Sequence, residues 1–322
     1  FSVEQDPSLL PTRKGQPIVP PEEGRPVPTW LHQWPQVPAR SHETVRERSS
    51  LSFRTPSSVA LSARLNPQQQ EVVLAPPAPT LVLAGAGSGK THTLIHRVAE
   101  LVNQGVAPEQ ILLITFTRKA ADEMIHRTQV LLNQSPLKIQ GGTFHAMGLT
   151  LLKIYGAAIG LHNKFSIMDE DDATGLIHIL ASKRGFTSRT GFPKKQHIAA
   201  VFSRAANMLR PIPDVVATYF PWLEEHTPQL VALYRVYTDT KWQQHRLDYD
   251  DLLLLLYKLL CIHAPTRLRL AHHYQALLVD EYQDSTQLQA MIVQLLASEH
   301  QNVMVVGDDA QAIYAFRGAD FR

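Results

Sequence analysis

One octapeptide, Ala84-Gly85-Ala86-Gly87-Ser88-Gly89-Lys90-Thr91, limits what this chain can fold into more than any other stretch. An apolar run, Thr80–Ala84, precedes it, and helical spacing follows it in Leu94, Ile95, Val98, Leu101 and Val102. A glycine-rich turn between a buried strand and a helix curls so that backbone N–H groups point inward. The positive end of the helix dipole adds to them, and the result is a cradle for phosphate. In this pattern, Ala84 to Thr91 wraps a nucleotide, Lys90 reaches the β and γ phosphates, and the Thr91 hydroxyl holds Mg²⁺. Ala84 stands where the strict pattern has glycine, a small departure because the later glycines remain. A chance Lys-Thr after a glycine-rich turn is the alternative, and the strand–turn–helix context argues against it.

A phosphate cradle needs a second element to supply metal and base. Leu277-Leu278-Val279-Asp280-Glu281 is an apolar strand that delivers two carboxylates at its C-terminal end, where open α/β sheets bind ligands. Asp280 is placed to hold Mg²⁺, and Glu281 to orient and deprotonate a water. An ordinary strand-end turn with solvated acids is the alternative.

Around these motifs, β-like runs (Thr80–Ala84, Ile111–Phe116, Ile139–Phe144, Ala276–Asp280, Val303–Val306) alternate with helical spacing (Thr91–Val102, Lys119–Leu132, Thr286–Leu296). That alternation predicts an α/β fold with a parallel sheet. Between residues 148 and 270 the pattern is almost wholly helical: Leu149–Tyr155, Asp171–Ser182, Lys195–Leu209, Leu230–His245 and Tyr249–Cys261. The expected division is therefore an arm at 1–62, a discontinuous α/β domain at 63–147 and 271–322, and a helical insertion at 148–270.

The arm holds 10 of the chain's 22 prolines and no apolar period, which predicts a mostly disordered segment with polyproline II stretches. Trp30 and Trp34 are its large anchors. They suit a protein partner or a linker with adhesive aromatics.

The 322 residues are 44% hydrophobic, enough for a sizeable core, and 31 Lys and Arg against 29 Asp and Glu leave a net charge of +2. That balance excludes a histone-like tail and an acidic solvating chain, and leaves nucleic-acid binding open, since a local patch suffices. The single cysteine, Cys261, forbids an internal disulfide and a multi-cysteine zinc site, and suits a reducing compartment. The longest apolar run, Leu252–Ile262, is interrupted by Lys258 and is far short of a membrane span.

Further blocks lie in order along the chain. They are Leu65-Asn66-Pro67-Gln68-Gln69, Ile114-Thr115-Phe116-Thr117-Arg118-Lys119-Ala120-Ala121, Gly142-Thr143-Phe144-His145, Asp280-Glu281-Tyr282-Gln283-Asp284, and Val306 to Ala319. Together with the phosphate loop they resemble the N-terminal half of superfamily 1 DNA helicases of the UvrD/Rep/PcrA type, over residues 63–322. The resemblance implies a RecA-like P-loop NTPase domain (1A) interrupted by a helical domain (1B). It implies an ATP-dependent, 3′→5′ motor using ATP and Mg²⁺ on single-stranded DNA and single-strand/duplex junctions, in the cytoplasm at the nucleoid.

By the same resemblance Gln69 recognises adenine, Gln311 and Arg317 contact the γ-phosphate, Phe116, Tyr314 and Phe316 face single-stranded DNA, and Thr143 and His145 touch the DNA backbone. Phe316 stands where Trp is common, Ala310 where Asp is frequent, and His92 where Arg is common. The resemblance also implies a second RecA-like domain, downstream or in trans. A chain opening at Phe1 and stopping at Arg322 is therefore expected to be a fragment that binds Mg·ATP weakly and hydrolyses it slowly or not at all. The helicase part of a RecB/AddA-like helicase–nuclease is a related alternative. A truncated, non-catalytic ATP- and DNA-binding module is a separate one.

The remaining clusters have plainer expectations. His92 and His96 have metal-ligand spacing but lie on the helix committed to phosphate. Asp169-Glu170-Asp171-Asp172 suits a helix cap better than a metal cluster. Residues 173–213 contain Lys183, Arg184, Arg189, Lys194, Lys195, Arg204 and Arg210 without one acid, which suits either a solvated face or a phosphate-tracking surface. Asp248-Tyr249-Asp250-Asp251 reads as a helix start, with no chemistry assigned.

Overall fold

A computed structural model describes residues 2–5, 65–133, 138–187 and 191–308 of the protein. Five parallel strands form the main sheet: β2 (Thr80–Leu83), β3 (Ile111–Ile114), β4 (Gln140–Gly142), β7 (Ala276–Val279) and β8 (Val303–Gly307). With β1 (Ser2–Gln5) added antiparallel on β2, the order is β1-β2-β8-β7-β3-β4. The rest of the proline-rich arm, with Trp30 and Trp34, lies outside the described residues.

The central strands are continuously apolar because both faces of the sheet are covered. Ile111, Leu113, Ala276, Leu278, Met304 and Val306 face one core, with α1 (Pro67–Leu74), α2 (Lys90–Asn103) and α3 (Arg118–Leu132). The alternate residues, Leu112, Ile114, Leu277, Val279, Val303 and Val305, face the other. That second face carries α4 (Phe144–Tyr155), α9 (Tyr249–Ile262) and α11 (Gln287–Leu296). Every residue of α9 from Asp251 to Leu260 is buried, so the longest apolar run of the sequence is a core helix. Among the described residues no helix is long and apolar enough to cross a membrane.

A third core, from Met168 to Tyr237, is built by α5 (Glu170–Lys183), α6 (Lys195–Asn207), α7 (Ile212–Tyr219) and α8 (Thr227–Gln243). The chain enters this helical unit through β5 (Ser166–Ile167) and leaves through β6 (Arg246–Leu247), two strands paired in parallel. The exposed rings of His162 and His245 stack beside them with centroids 4.1 Å apart. Asp169 caps α5 by accepting from the Asp172 N–H at 2.8 Å. No group of three or more metal-ligating residues occurs among the described residues.

A buried ionic knot fastens the helical unit to α9. Lys241 of α8 lies 2.5 Å from Asp248 and 2.6 Å from Asp251, the two residues that form the capping box of α9. Tyr237 donates to Asp248 Oδ2 at 2.7 Å, and Asn207 Nδ2 of α6 donates to Asp250 Oδ1 at 2.8 Å. Burial works against the Lys241 charge, but Asp248 and Asp251 outweigh it and raise its pKa. Asp248 is likewise penalised by burial, yet Lys241 holds it below the usual carboxylate range.

Asp250 is left without a cation of its own, and burial followed by the Asp248 charge pushes it up to about 6. Its carboxyl binds a proton more tightly in the folded chain than in the unfolded one. The stability this confers is present at low pH and is lost as pH rises through about 6. Asp250→Asn, which keeps an acceptor for Asn207, is expected to gain stability over the parent as pH goes from about 5 to about 8. Urea unfolding at the two pH values measures this, and a pH-independent difference would refute it.

Candidate nucleotide and DNA site

The loop Ala84–Gly89 crosses from β2 to α2 at the C-terminal end of the sheet. Gly87 and Gly89 have φ of +73° and +87°, the left-handed region that glycine enters without a Cβ penalty. Gly89 is also the N-cap of α2 and offers no side-chain acceptor, so the first N–H groups of the helix face the cradle. Lys90 is the first residue of α2, its side chain only 12% exposed.

Asp280 follows β7 immediately, and its N–H donates to the Ile114 carbonyl of β3 at 2.9 Å. Burial, then the Glu281 charge, pushes its carboxyl up to about 6, with Lys90 pulling the other way. Glu281 has φ +51°, an uncommon conformation for a residue with a side chain. It turns the chain from β7 into the 3₁₀ turn Tyr282–Asp284 and sends its carboxylate back to Lys90 Nζ, 3.6 Å away.

Two residues without an assigned role in the sequence complete the arrangement. Asp308, just past β8, places Oδ2 3.8 Å from Lys90 Nζ. Gln283, 3% exposed, donates from Nε2 to Glu281 Oε2 at 2.7 Å and accepts the Asp308 N–H on Oε1 at 3.0 Å. Both lie in quoted motifs, but nothing in residue type or spacing distinguishes them from their neighbours. Their roles arise from β7 and β8 being adjacent.

The donor set suits a magnesium–triphosphate unit. Ser88 Oγ, Lys90 Nζ and Asp280 Oδ1 are buried without a hydrogen-bond partner among the described residues. Native interiors rarely tolerate such atoms unless a ligand or ion satisfies them. Here a hydroxyl, an ammonium and a carboxyl share one rim, which is the mixture a phosphate and a hard cation require.

Gln69 belongs to the same rim. It is N3 of α1, where Asn66 accepts its N–H at 2.8 Å and Gln69 Oε1 accepts the Asn66 N–H at 3.1 Å. Its Nε2 donates to the Ser88 carbonyl at 3.0 Å, so it touches the phosphate loop directly. A Cβ at Gly89 would stand 2.8 Å from that Nε2, which is why the position accepts only glycine without displacing Gln69.

The residues expected to face DNA are partly visible. Phe116, two residues past β3, is 46% exposed. Thr143 caps α4, its hydroxyl accepting from the Ala146 N–H at 3.2 Å. His145 meets the ring of Tyr249 edge-on at 5.8 Å, and Tyr249, in the helix-start segment given no chemistry from sequence, is 55% exposed. In the basic stretch, Lys183, Arg184, Lys194 and Arg210 are exposed, whereas Arg204 packs over the Tyr219 ring at 4.4 Å. Gln311, Tyr314, Phe316 and Arg317 lie outside the described residues, as does Arg189.

A parallel sheet whose rim gathers a glycine-bound lysine and the two strand-end acids is the framework of the P-loop nucleotide-binding domains. Within that class the chain belongs to the UvrD/REP helicase N-terminal domain family, whose sequence model matches residues 65–322. The "Probable DNA helicase II homolog" of Rickettsia felis is 38% identical over 260 residues, covering 80% of this chain and 39% of that protein. DNA helicase II of Haemophilus influenzae is 36% identical over 262 residues, covering 79% of this chain and 35% of its own length. The ATP-dependent DNA helicase PcrA of Staphylococcus epidermidis is 34% identical over 264 residues, covering 82% and 36% respectively. The chain thus spans between a third and two fifths of the length of these relatives.

Proposed function

We propose that this chain is the nucleotide-binding N-terminal part of an ATP-dependent DNA helicase that moves 3′→5′ on single-stranded DNA in the cytoplasm, at the nucleoid. The observation that carries the reading is the meeting of Lys90, Asp280, Glu281 and Asp308 at one rim of the sheet, beside the cradle of glycines. The relatives' names, DNA helicase II and PcrA, supply the kind of work such a site does.

In this reading the α2 N-terminus and Lys90 bind the phosphates, and the Gln69 amide faces the base. Asp280 and Thr91 would hold Mg²⁺, which neutralises charge on the phosphates. Glu281 takes the proton of the attacking water. Lys90, now shared by Glu281 and Asp308, turns to the phosphate oxygens when they arrive. Gln311 and Arg317 would complete the γ-phosphate contacts. A second RecA-like domain, with the other half of the DNA track, is expected opposite this rim. Turnover is expected to depend on that second domain, because trans arginines supply roughly 10³–10⁵ in such reactions.

DNA would run over Phe116, His145, Tyr314 and Phe316, with Thr143 holding α4 in place. Bases stack on the aromatic faces regardless of sequence. Phe116→Ala is expected to weaken single-stranded DNA binding by about 1–3 kcal/mol and to leave nucleotide affinity unchanged. Fluorescence anisotropy with an oligonucleotide, run beside titration with a fluorescent ATP analogue, measures both. Unchanged DNA affinity would return Phe116 to a packing role.

A further inference from the structure

Lys90, Glu281, Gln283 and Asp308 form a closed circuit. Lys90 Nζ stands 3.6 Å from Glu281 Oε2, which accepts from Gln283 Nε2 at 2.7 Å. Gln283 Oε1 accepts from the Asp308 N–H at 3.0 Å, and Asp308 Oδ2 returns to Lys90 Nζ at 3.8 Å. The circuit joins the start of α2, the end of β7 and the end of β8.

Gln283 is its one neutral side chain, and its side-chain hydrogen bonds among the described residues go to Glu281 and the Asp308 N–H. A backbone N–H only donates and a carboxylate only accepts, so these two partners fix which way the amide faces. Glu281 needs such a hold. Its side chain is 36% exposed, so packing alone does not lock its rotamer. With Oε2 engaged by Gln283 and Lys90, the carboxylate pivots about one oxygen, and the other is the one left to receive a proton.

We propose that Gln283 is a positioning residue that makes the aim of Glu281 depend on where β8 ends. The inference rests on the reading of Glu281 as the base. A shift of the Asp308 backbone pulls on Gln283 Oε1, and the rigid amide passes that shift to Glu281 Oε2. The chain beyond Asp308 leads directly to Gln311, Tyr314 and Phe316, so events sensed there share a backbone with the Gln283 acceptor's partner.

With the second RecA-like domain present, downstream or in trans, the test measures kcat and KM for ATP on single-stranded DNA, nucleotide affinity, and thermal unfolding, for Gln283→Leu, Glu281→Gln and the double variant. Gln283→Leu is expected to lower kcat about 10- to 100-fold, as loss of an orienting partner does, with nucleotide affinity within a factor of about three. In the Glu281→Gln background the same change is expected to cost little further, because the group it aims is already disabled. Gln283→Glu keeps the size and the acceptor for Asp308 but sets a carboxylate against Glu281. It is expected to lose turnover as well, and it decides the matter if the leucine variant does not fold. Normal kcat in Gln283→Glu, beside an inactive Glu281→Gln, would overturn the proposal and leave the base in place. Full additivity in the double variant would also overturn it. An active Glu281→Gln would remove the base, and this inference with it.

Discussion

Lys90→Ala is expected to abolish measurable nucleotide binding by this chain while sparing most of its affinity for single-stranded DNA. Two losses combine. The charge-assisted contacts to the phosphates disappear, and the acids that Lys90 now balances are left facing a polyanion. Truncating one member of a buried charge pair costs about 2–5 kcal/mol or more. At about 1.4 kcal/mol per tenfold, the upper part of that range exceeds a hundredfold in affinity. Phe116 follows β3 and His145 lies on α4, so neither belongs to the phosphate loop or to α2, and DNA binding has no reason to fall in step. Parallel titrations of a fluorescent nucleotide and a labelled oligonucleotide give the answer. Equal loss of both would show that the two surfaces are not distinct.

Lys241→Met is expected to be the most destabilising single change in the helical unit. It strips the shared cation from Asp248 and Asp251, whose residues are buried or nearly so. Breaking a buried pair in this way costs about 3–5 kcal/mol, a large part of the roughly 5–15 kcal/mol that holds a domain together. Part of the cost is recoverable by protonation. Burial and the Asp248 charge already push Asp251 up to about 7, so without Lys241 it takes a proton readily. The variant should therefore lose more stability at pH 8 than at pH 5, as urea midpoints would show. Adding Asp248→Asn and Asp251→Asn should restore much of the loss. A variant as stable as the parent at pH 8 would show that the knot contributes nothing.

The strands and the long helices were legible because they are apolar on a regular period. Their periods mark β2, β3, β7 and β8 to within two residues, and α2 and α3 almost residue for residue. Three consecutive glutamines hide the period of α1, although Asn66 and Gln69 are a capping box that can be read in the chain. Prolines concealed α7 and α10 (Ala264–His273), yet in both the proline lies in the first turn, where its missing N–H costs nothing. The apolar run Ile139–Phe144 predicts a strand through Phe144, but β4 ends at Gly142, and Thr143 caps the helix that Phe144 begins.

The phosphate cradle and the Asp280-Glu281 pair could be read locally, since each is a short motif at a strand end. Gln283 and Asp308 could not, because Gln283 meets the Asp308 N–H and Asp308 meets Lys90 only once β7, β8 and α2 are brought together. The partnership of Lys241 with Asp248 and Asp251 was hidden for a similar reason. Lys241 and Asp248 are seven positions apart, and the turn through β6 folds one back on the other.

The side-by-side course of β5 and β6 sets a lower limit on how far evolution or engineering can trim the helical unit. Strands running in the same direction cannot be joined by a tight hairpin, because the chain must travel back to its starting end before pairing again. Deleting α5 to α8 outright would leave two ends pointing the wrong way. A viable miniature must keep a return path of about a dozen residues, in practice one helix, between Ile167 and Arg246.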